Sequence, residues 1–438
     1  RYGSSAASDV YKRQDCCRLK PTQNPRVCLQ DPVALYLIAF GGLLLAAVLL
    51  DDLADRIKLP GILLVLALGL LVDNNIRDAS EPLLSLARAN NIAQSALVLV
   101  LFFGGLSTNW TRMKAVIRPA FRLATLGVLI TAGLLTLIAF GLYSSEGQWQ
   151  RALLPQVLFV GAMFSSTDAS AALSLLRPLE GRMPEKVLDL IEMESTINDP
   201  MAVVLANLAL ALAGGEGLVT ADLVTEVVKQ FMLGGLLGFI GGSVISQLLM
   251  GSTSLNRGSM LPVVSLALLL VLSGGTSVLG GSQLLAAYVA GLVLGNGQGV
   301  DQEVLEEAHS SFAKMAELLL FLCLGLVVEP ADVVRAGGWA LAFFAAMQLV
   351  RWLMVQVLMV STDFRTREKR FICWTGLRGA VPIAMAIQAW TSSVSWGKLM
   401  PPLALGVVLF GLVIQGFALV PIAHRLGLVI PLQDVQPA

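Results

Sequence analysis

Glu194, Ser195, Asn198 and Asp199 sit together in an otherwise apolar stretch from Leu188 to Ala211. At ~1.5 Å rise per residue that stretch is about long enough to cross the hydrocarbon core of a bilayer. Asp199 falls near its midpoint, where an ionised carboxylate costs roughly 2.5–3.5 kcal/mol. The chemistry suited to such a group is reversible binding of a proton or a cation. Burial favours the protonated carboxylate and a bound cation favours the ionised one, so the two ligands exclude each other. Two other apolar segments also carry charge near their centres: Ser165-Ser166-Thr167-Asp168, and Gly376-Leu377-Arg378-Gly379-Ala380-Val381-Pro382. Ser195, Thr167 and Asn198 add hard oxygens of the kind that alkali cations prefer, through side chains or backbone carbonyls.

Helical geometry sorts these groups. Ser195, four residues before Asp199, is about 40° away around the axis, so the two look into the same space. Glu192, seven residues before, shares that face about two turns nearer one membrane surface. It is expected to line an access path. Glu194 points roughly 140° away from Asp199 and needs another partner. At that depth Arg378 is the candidate, and an ion pair Glu194–Arg378 is expected. A guanidinium does not deprotonate usefully, which suits it to a permanent pair rather than a proton relay. Two roles are open to Asp168 at its break: neutralising the positive ends of half-helices, or coordinating the ion.

The elements that position these residues must be membrane helices. Of 438 residues 56% are hydrophobic and only 14% charged, and mean hydropathy is +0.75. Soluble domains average about 25% charged residues, so the fold class is an all-α polytopic membrane protein. Net charge is zero, which argues against a nucleic-acid partner. No phosphate-binding loop, metal-ligand spacing, disulfide framework or nucleophile–base pair emerges. The chain is therefore expected not to be an enzyme, and to need no cofactor beyond the ions it carries. Neither a repeated carbonyl filter nor a ring of carboxylates suggests a channel.

Thirteen apolar segments can be marked, among them 33–50, 152–177, 188–213, 338–360, 371–390 and 401–422. Alternate loops hold sixteen basic residues, including Arg112, Lys114, Arg118 and Arg122, against six in the others. The positive-inside rule makes the first set cytoplasmic, with the N-terminus outside and the C-terminus inside. Thirteen spans with opposite-facing ends suit two inverted repeats plus one helix. Segments 152–177 and 371–390, each interrupted around a charge by Gly, Pro or Ser, read as the broken helices that line transporter sites.

Asn198-Asp199-Pro200, with Glu five and Ser four residues before the Asp, resembles the sixth helix of monovalent cation:proton antiporters of the NhaP type. Residues 166–170 and 376–382 resemble that family's fifth and twelfth helices. The resemblance covers about residues 33 to 425. It implies an inverted-repeat fold with two crossing broken helices, an ion carried by Asp199 and ligated by Ser195, and a site lined by Thr167 and Asp168. It also implies an ion pair linking helices at Glu194 and Arg378. Asn rather than Asp at 198 resembles the electroneutral branch, which exchanges one cation for one proton. One departure stands out: the family's third helix usually presents an acidic residue before its Gly pair, and here that position is Phe103. Some relatives also continue into a cytoplasmic regulatory domain beyond the point matching Arg425.

The expected organisation is a tail at 1–32, scaffold and dimerisation helices at 33–120 and 214–330, an ion-transport core at 121–213 and 331–425, and a second tail at 426–438. The tail to Gln30 is polar and patternless, either an assembly artefact or a natural disordered tail, and is set apart from the fold. The expected function is exchange of Na⁺ or K⁺ for H⁺ at a single mid-membrane carboxylate. The expected setting is a homodimer in the lipid of the bacterial inner membrane. The alternative is an organic-anion symporter or uniporter with Arg378 as counter-ion, which requires an Arg378 free of Glu194. Gly234, Gly238 and Gly242 have small-xxx-small spacing, expected to serve packing inside the protomer.

Overall fold

The computed structural model describes residues 32–57, 59–72, 83–144, 153–179, 181–214, 220–251, 260–298 and 300–430. The tail to Gln30, and Lys58, Arg77, Arg151 and Arg257 among the counted loop cations, lie outside the described residues. The structure divides into two units, Arg1–Ala46 and Ala47–Ala438. The first holds the opening of α1 (Pro32–Ile57), and everything below concerns the second.

The helices that follow are α2 (Gly61–Leu71), α3 (Leu86–Ser107), α4 (Trp110–Met113) and α5 (117–144), with a π turn over Leu123–Gly127. Next come α6 (Leu153–Met163), α7 (Ala169–Leu176), α8 (Glu185–Ala213), α9 (Thr220–Gly251), α10 (Met260–Val278) and α11 (Gln283–Gly295). The rest are α12 (Gln302–Val327), α13 (Pro330–Leu358), α14 (Thr366–Trp374), α15 (Ala380–Thr391) and α16 (400–425). No strand occurs among the described residues. Among the described residues, nine helices are long and apolar enough to cross a membrane, and four shorter apolar helices accompany them, α2, α6, α11 and α15. This makes the chain a multi-pass membrane protein. Helices are the only open-ended way to satisfy every backbone group without water.

Two packing groups share the interior. In one, α11 and α12 lie on α3, α9 packs on α11, and α2 on α12. In the other, α6 packs on α5 and α8, while α13 packs on α5, α14 and α16. The broken-helix half α15 touches α16 in the second group and α3 and α12 in the first.

Small residues set the closest approaches. A Cβ at Gly238 would lie 2.7 Å from the Ala286 carbonyl oxygen, and one at Gly242 2.8 Å from Ala290 Cα. Gly234 meets Ser282 in the same way, so this glycine row seats α9 against α11 inside the chain, as its spacing suggests. Gly105 performs the same service for α3, where a Cβ would stand 2.9 Å from the Leu292 amide of α11. Buried His309 has an ordinary explanation as well. Its Nε2 is 2.8 Å from Ser265 Oγ and its ring packs edge-on against Phe102.

Candidate functional site

The fifth and twelfth apolar segments are both broken, at the positions their Gly, Ser and charged residues indicate. Residues 164–168 leave helical geometry between α6 and α7, and residues 375–379 do so between α14 and α15. The breaks meet: the Asp168 amide donates to the Leu377 carbonyl at 2.8 Å. Unwinding strands backbone groups that a bilayer cannot solvate, so other elements must satisfy them. At the first break α8 does this for Thr167. Asn198 Nδ2 donates to Thr167 Oγ1 at 2.7 Å, and Asn198 Oδ1 accepts from the Thr167 amide at 3.2 Å. Ser195 Oγ donates to the Thr167 carbonyl. At the second break Gln415 Nε2, in the π stretch of α16, donates to the Trp374 carbonyl at 3.0 Å, at the end of α14.

Asp168 caps α7. Its Oδ1 accepts from Ser170 Oγ at 2.7 Å and from the Ala171 amide at 3.2 Å, placing negative charge at the positive end of a half-helix. Gly379 is what lets the other break come so close: a Cβ there would collide with the Asp168 carboxylate. Gly379→Ala is therefore expected to displace Asp168 and to cut cation response by more than about tenfold, the equivalent of ~1.4 kcal/mol. The protein should still fold and elute as wild type. An unchanged cation response in a folded variant would remove the crossing from the site.

Asp199 is half-buried on α8, and the charges of Asp168 and Arg378 both act on it. Ser195, Asn198, Thr167 and Asp168 thus meet at the crossing, from α8 and the α6–α7 break, and Asp199 lies one turn beyond Ser195 on α8. Pro200 follows Asp199 within α8 and lacks the amide that would serve the Thr196 carbonyl. Glu192 is half-buried on the same helix, where the charges of Arg112 and Asp189 act on it. Those two residues form an ion pair between α4 and α8.

The expected pair Glu194–Arg378 is corrected. Glu194 is 1% exposed and forms a two-pronged ion pair with Arg351 of α13, one contact being Arg351 Nη2 to Glu194 Oε2 at 2.9 Å. Arg351 wins because it serves two acceptors at once. Its Nη2 also donates to the Ile372 carbonyl at 3.3 Å, near the end of α14, where intrahelical donors run out. Gly376 leaves room for this side chain, since a Cβ there would lie 3.1 Å from Arg351 Nε. Arg378 is 2% exposed, and its Nε and Nη1 have no hydrogen-bond partner among the described residues. Glu194 and Asp199 attract it and Arg351 repels it, so it stands as a second buried cation rather than the partner of Glu194.

Sequence reasoning overlooked Arg351, although a lone arginine in the apolar run 338–360 was itself a signal. Lys314 carries no comparable signal in the sequence. Lys314 Nζ lies 3.1 Å from Asp51 Oδ1 and 3.7 Å from Glu317 Oε2, and the charge of Asp168 acts on Glu317. An amide relay was missed as well: Gln388 Nε2 of α15 donates to Asn207 Oδ1 of α8 at 2.9 Å, and Gln94 Nε2 of α3 donates to Gln388 Oε1 at 3.5 Å. Phe103, the departure noted in α3, is half-buried beside Gly104, where a Cβ would lie 3.1 Å from Thr196 Cγ2. It is Gly104, next to the unusual residue, that borders the helix carrying Asp199.

Comparison with known proteins follows the same lines. The family described as sodium/hydrogen exchanger, transmembrane, matches residues 42–425. The K(+)/H(+) antiporter NhaP2 of Shewanella oneidensis is 34% identical over 408 residues, covering 89% of this chain and 67% of that protein. The K(+)/H(+) antiporter NhaP of Alkalimonas amylolytica is 30% identical over 411 residues, covering 92% of this chain and 68% of that protein. The solved sodium proton antiporter MjNhaP1 of Methanocaldococcus jannaschii superposes with a TM-score of 0.73 at 19% identity, over 88% of this chain and all of that one.

Proposed function

The chain belongs to the transmembrane sodium/hydrogen exchanger family, and on that premise we propose that it exchanges Na⁺ or K⁺ for H⁺ through Asp199. The observation that carries the reading is the Ser195 hydroxyl on the Thr167 carbonyl at the meeting of two broken helices, with Asp199 one turn further along α8 and within reach of the Asp168 charge. A dehydrated alkali cation needs several oxygens at one point and a negative charge to hold it there. Ser195 and Thr167 already touch each other, so a cation enters by turning the hydroxyl lone pair and the carbonyl towards itself. Asn198 keeps Thr167 in place through two hydrogen bonds while this happens.

Coupling follows from charge. An empty, ionised Asp199 is costly to carry through the hydrophobic barrier, whereas a protonated or cation-loaded one is not. The helix group around α5, α6, α8 and α13–α16 acts as the moving core, and the group around α3, α9, α11 and α12 as the scaffold and homodimer face. Asp168 fixes α7 and lines the site, the Glu194 pair locks α8 to α13, and Glu192 lines the access path. With Asn at 198 the exchange is electroneutral, one cation for one proton. In this reading the chain crosses a bacterial inner membrane thirteen times, with its N-terminus outside and its C-terminus cytoplasmic as the positive-inside pattern suggests, and the exchange contributes to pH homeostasis. Arg378 is free of Glu194, as the organic-anion reading requires, but the relatives named above are cation/proton antiporters and lend that reading no support.

The test uses proteoliposomes with an imposed pH gradient, a fluorescent pH probe, and pulses of NaCl, KCl and LiCl. Cation-dependent collapse of the gradient, with no membrane potential generated, is the expected result. Correctly inserted protein that answers none of the three cations would overturn the proposal.

A further inference from the structure

A cleft of about 1090 Å³ opens well away from Asp199, between the start of α5, the start of α8 and the turn after α13. Four cations line it, Lys114, Arg118, Arg122 and Lys186, against a single carboxylate, Asp363. None of the four forms an ion pair with a carboxylate among the described residues. Two are held by neutral partners that leave their charge uncancelled. Arg122 Nη1 lies 3.2 Å from Ser361 Oγ, and Lys186 Nζ lies 4.2 Å from the centre of the Phe364 ring and 3.4 Å from the Asp363 carbonyl.

The position of the cleft says what kind of anion would fill it. It lies where three membrane-length helices end: α5 and α8 begin there, and α13 stops just before Ser361. The loops that carry these cations are among those that the positive-inside pattern assigns to the cytoplasmic surface. Running into the span from the cleft, α5 exposes the apolar side chains Phe121, Leu126 and Leu129, at 53%, 49% and 44% exposure. A ligand matching both parts has a phosphate-bearing head and hydrocarbon tails. Basic pockets between membrane helices on this side commonly take acidic phospholipid headgroups. A soluble phosphate would match the cations but would leave the apolar flank unused.

We propose that this cleft is a binding site for an acidic phospholipid, its phosphate among Arg118, Arg122, Lys186 and Lys114 and an acyl chain along α5. The site joins the turn after α13 to the starts of α5 and α8, and so ties three helices of the second packing group to the surrounding leaflet. It does not depend on the identity of the transported ion.

Native mass spectrometry of the purified full chain, titrated with phosphatidylglycerol or phosphatidylcholine of equal chain length, tests this. Retention of phosphatidylglycerol at least about tenfold above phosphatidylcholine is expected. Arg118→Gln and Arg122→Gln should each weaken it about fivefold, roughly the effect of one cation near a lipid surface. Lys398→Gln, a basic residue outside the cleft, is the control and should change nothing. Equal retention of the two lipids would overturn the proposal, as would identical binding by cleft and control variants. Glycerol 3-phosphate that displaces the lipid at equal concentration would reassign the cleft to a soluble anion and overturn it too. Unchanged elution and thermal midpoint of the variants exclude misfolding as the cause of any loss.

Discussion

Asp199→Asn should leave a folded, correctly inserted protein that dissipates no pH gradient on addition of Na⁺, K⁺ or Li⁺, with rates equal to those of protein-free liposomes. Asn has nearly the shape of Asp, and the half-buried position tolerates it sterically. What it loses is the only thing the proposed cycle uses, a charge that either a proton or a cation can neutralise. Asn198, one residue earlier, cannot take over, because both ends of its amide are engaged by Thr167. Asp168 is the remaining carboxylate at the crossing, but one of its oxygens already caps α7. Asp199→Glu retains the charge on a longer arm and should keep a reduced response. An Asp199→Asn protein that still answers cations would move the ion to Asp168. The measurement is the pH-probe assay on matched amounts of inserted protein.

The second large effect concerns stability. Arg351→Gln is expected to destabilise the protein by about 3–5 kcal/mol, because it leaves the Glu194 carboxylate buried without its cation. It also strips the Ile372 carbonyl of a donor. Glu194→Gln should cost a similar amount by stranding Arg351 beside Arg378, two cations that repel each other. Combining the two changes should recover about 0.5–3 kcal/mol relative to the sum of the single losses, the signature of residues in direct contact. Arg378→Gln is the contrasting variant. It leaves the Glu194–Arg351 pair intact and removes a guanidinium two of whose nitrogens have no hydrogen-bond partner among the described residues. Its stability loss should be less than half that of Arg351→Gln. Thermal melts in one detergent, read by intrinsic fluorescence, give all four numbers. The reverse order, with Arg378→Gln the severe change and no coupling between 194 and 351, would restore the expected Glu194–Arg378 pair.

Much of this arrangement is legible in one dimension because the bilayer enforces simple rules. Charges are rare inside it, so Asp168, Glu194, Asp199 and Arg378 announce themselves by residue type and depth alone. Broken helices need Gly, Pro or hydroxyl residues around them, which marked 165–168 and 376–382 as interrupted, and the structure unwinds 164–168 and 375–379. The 3.6-residue period placed Ser195 with Asp199 and turned Glu194 away, and the structure gives Glu194 a partner away from the Asp199 cluster. The glycine row of α9 had an intrachain use for the same kind of reason: backbone contact needs the absence of a Cβ.

Sequence could say that Glu194 requires a buried cation, but not which one. Two arginines are available at compatible depth, and helical phase within α8 does not discriminate between segments that pack against it. The tertiary structure decides for Arg351, whose one side chain reaches both the Glu194 carboxylate and the Ile372 carbonyl near the end of α14, a carbonyl it shares with the Thr375 hydroxyl. The contact between the two breaks, Asp168 to Leu377, was likewise beyond any single-segment pattern, as it depends on how two distant crossovers meet. The same holds for the basic cleft. Its cations are scattered over residues 114 to 186, and only the convergence of three helix ends makes them one site.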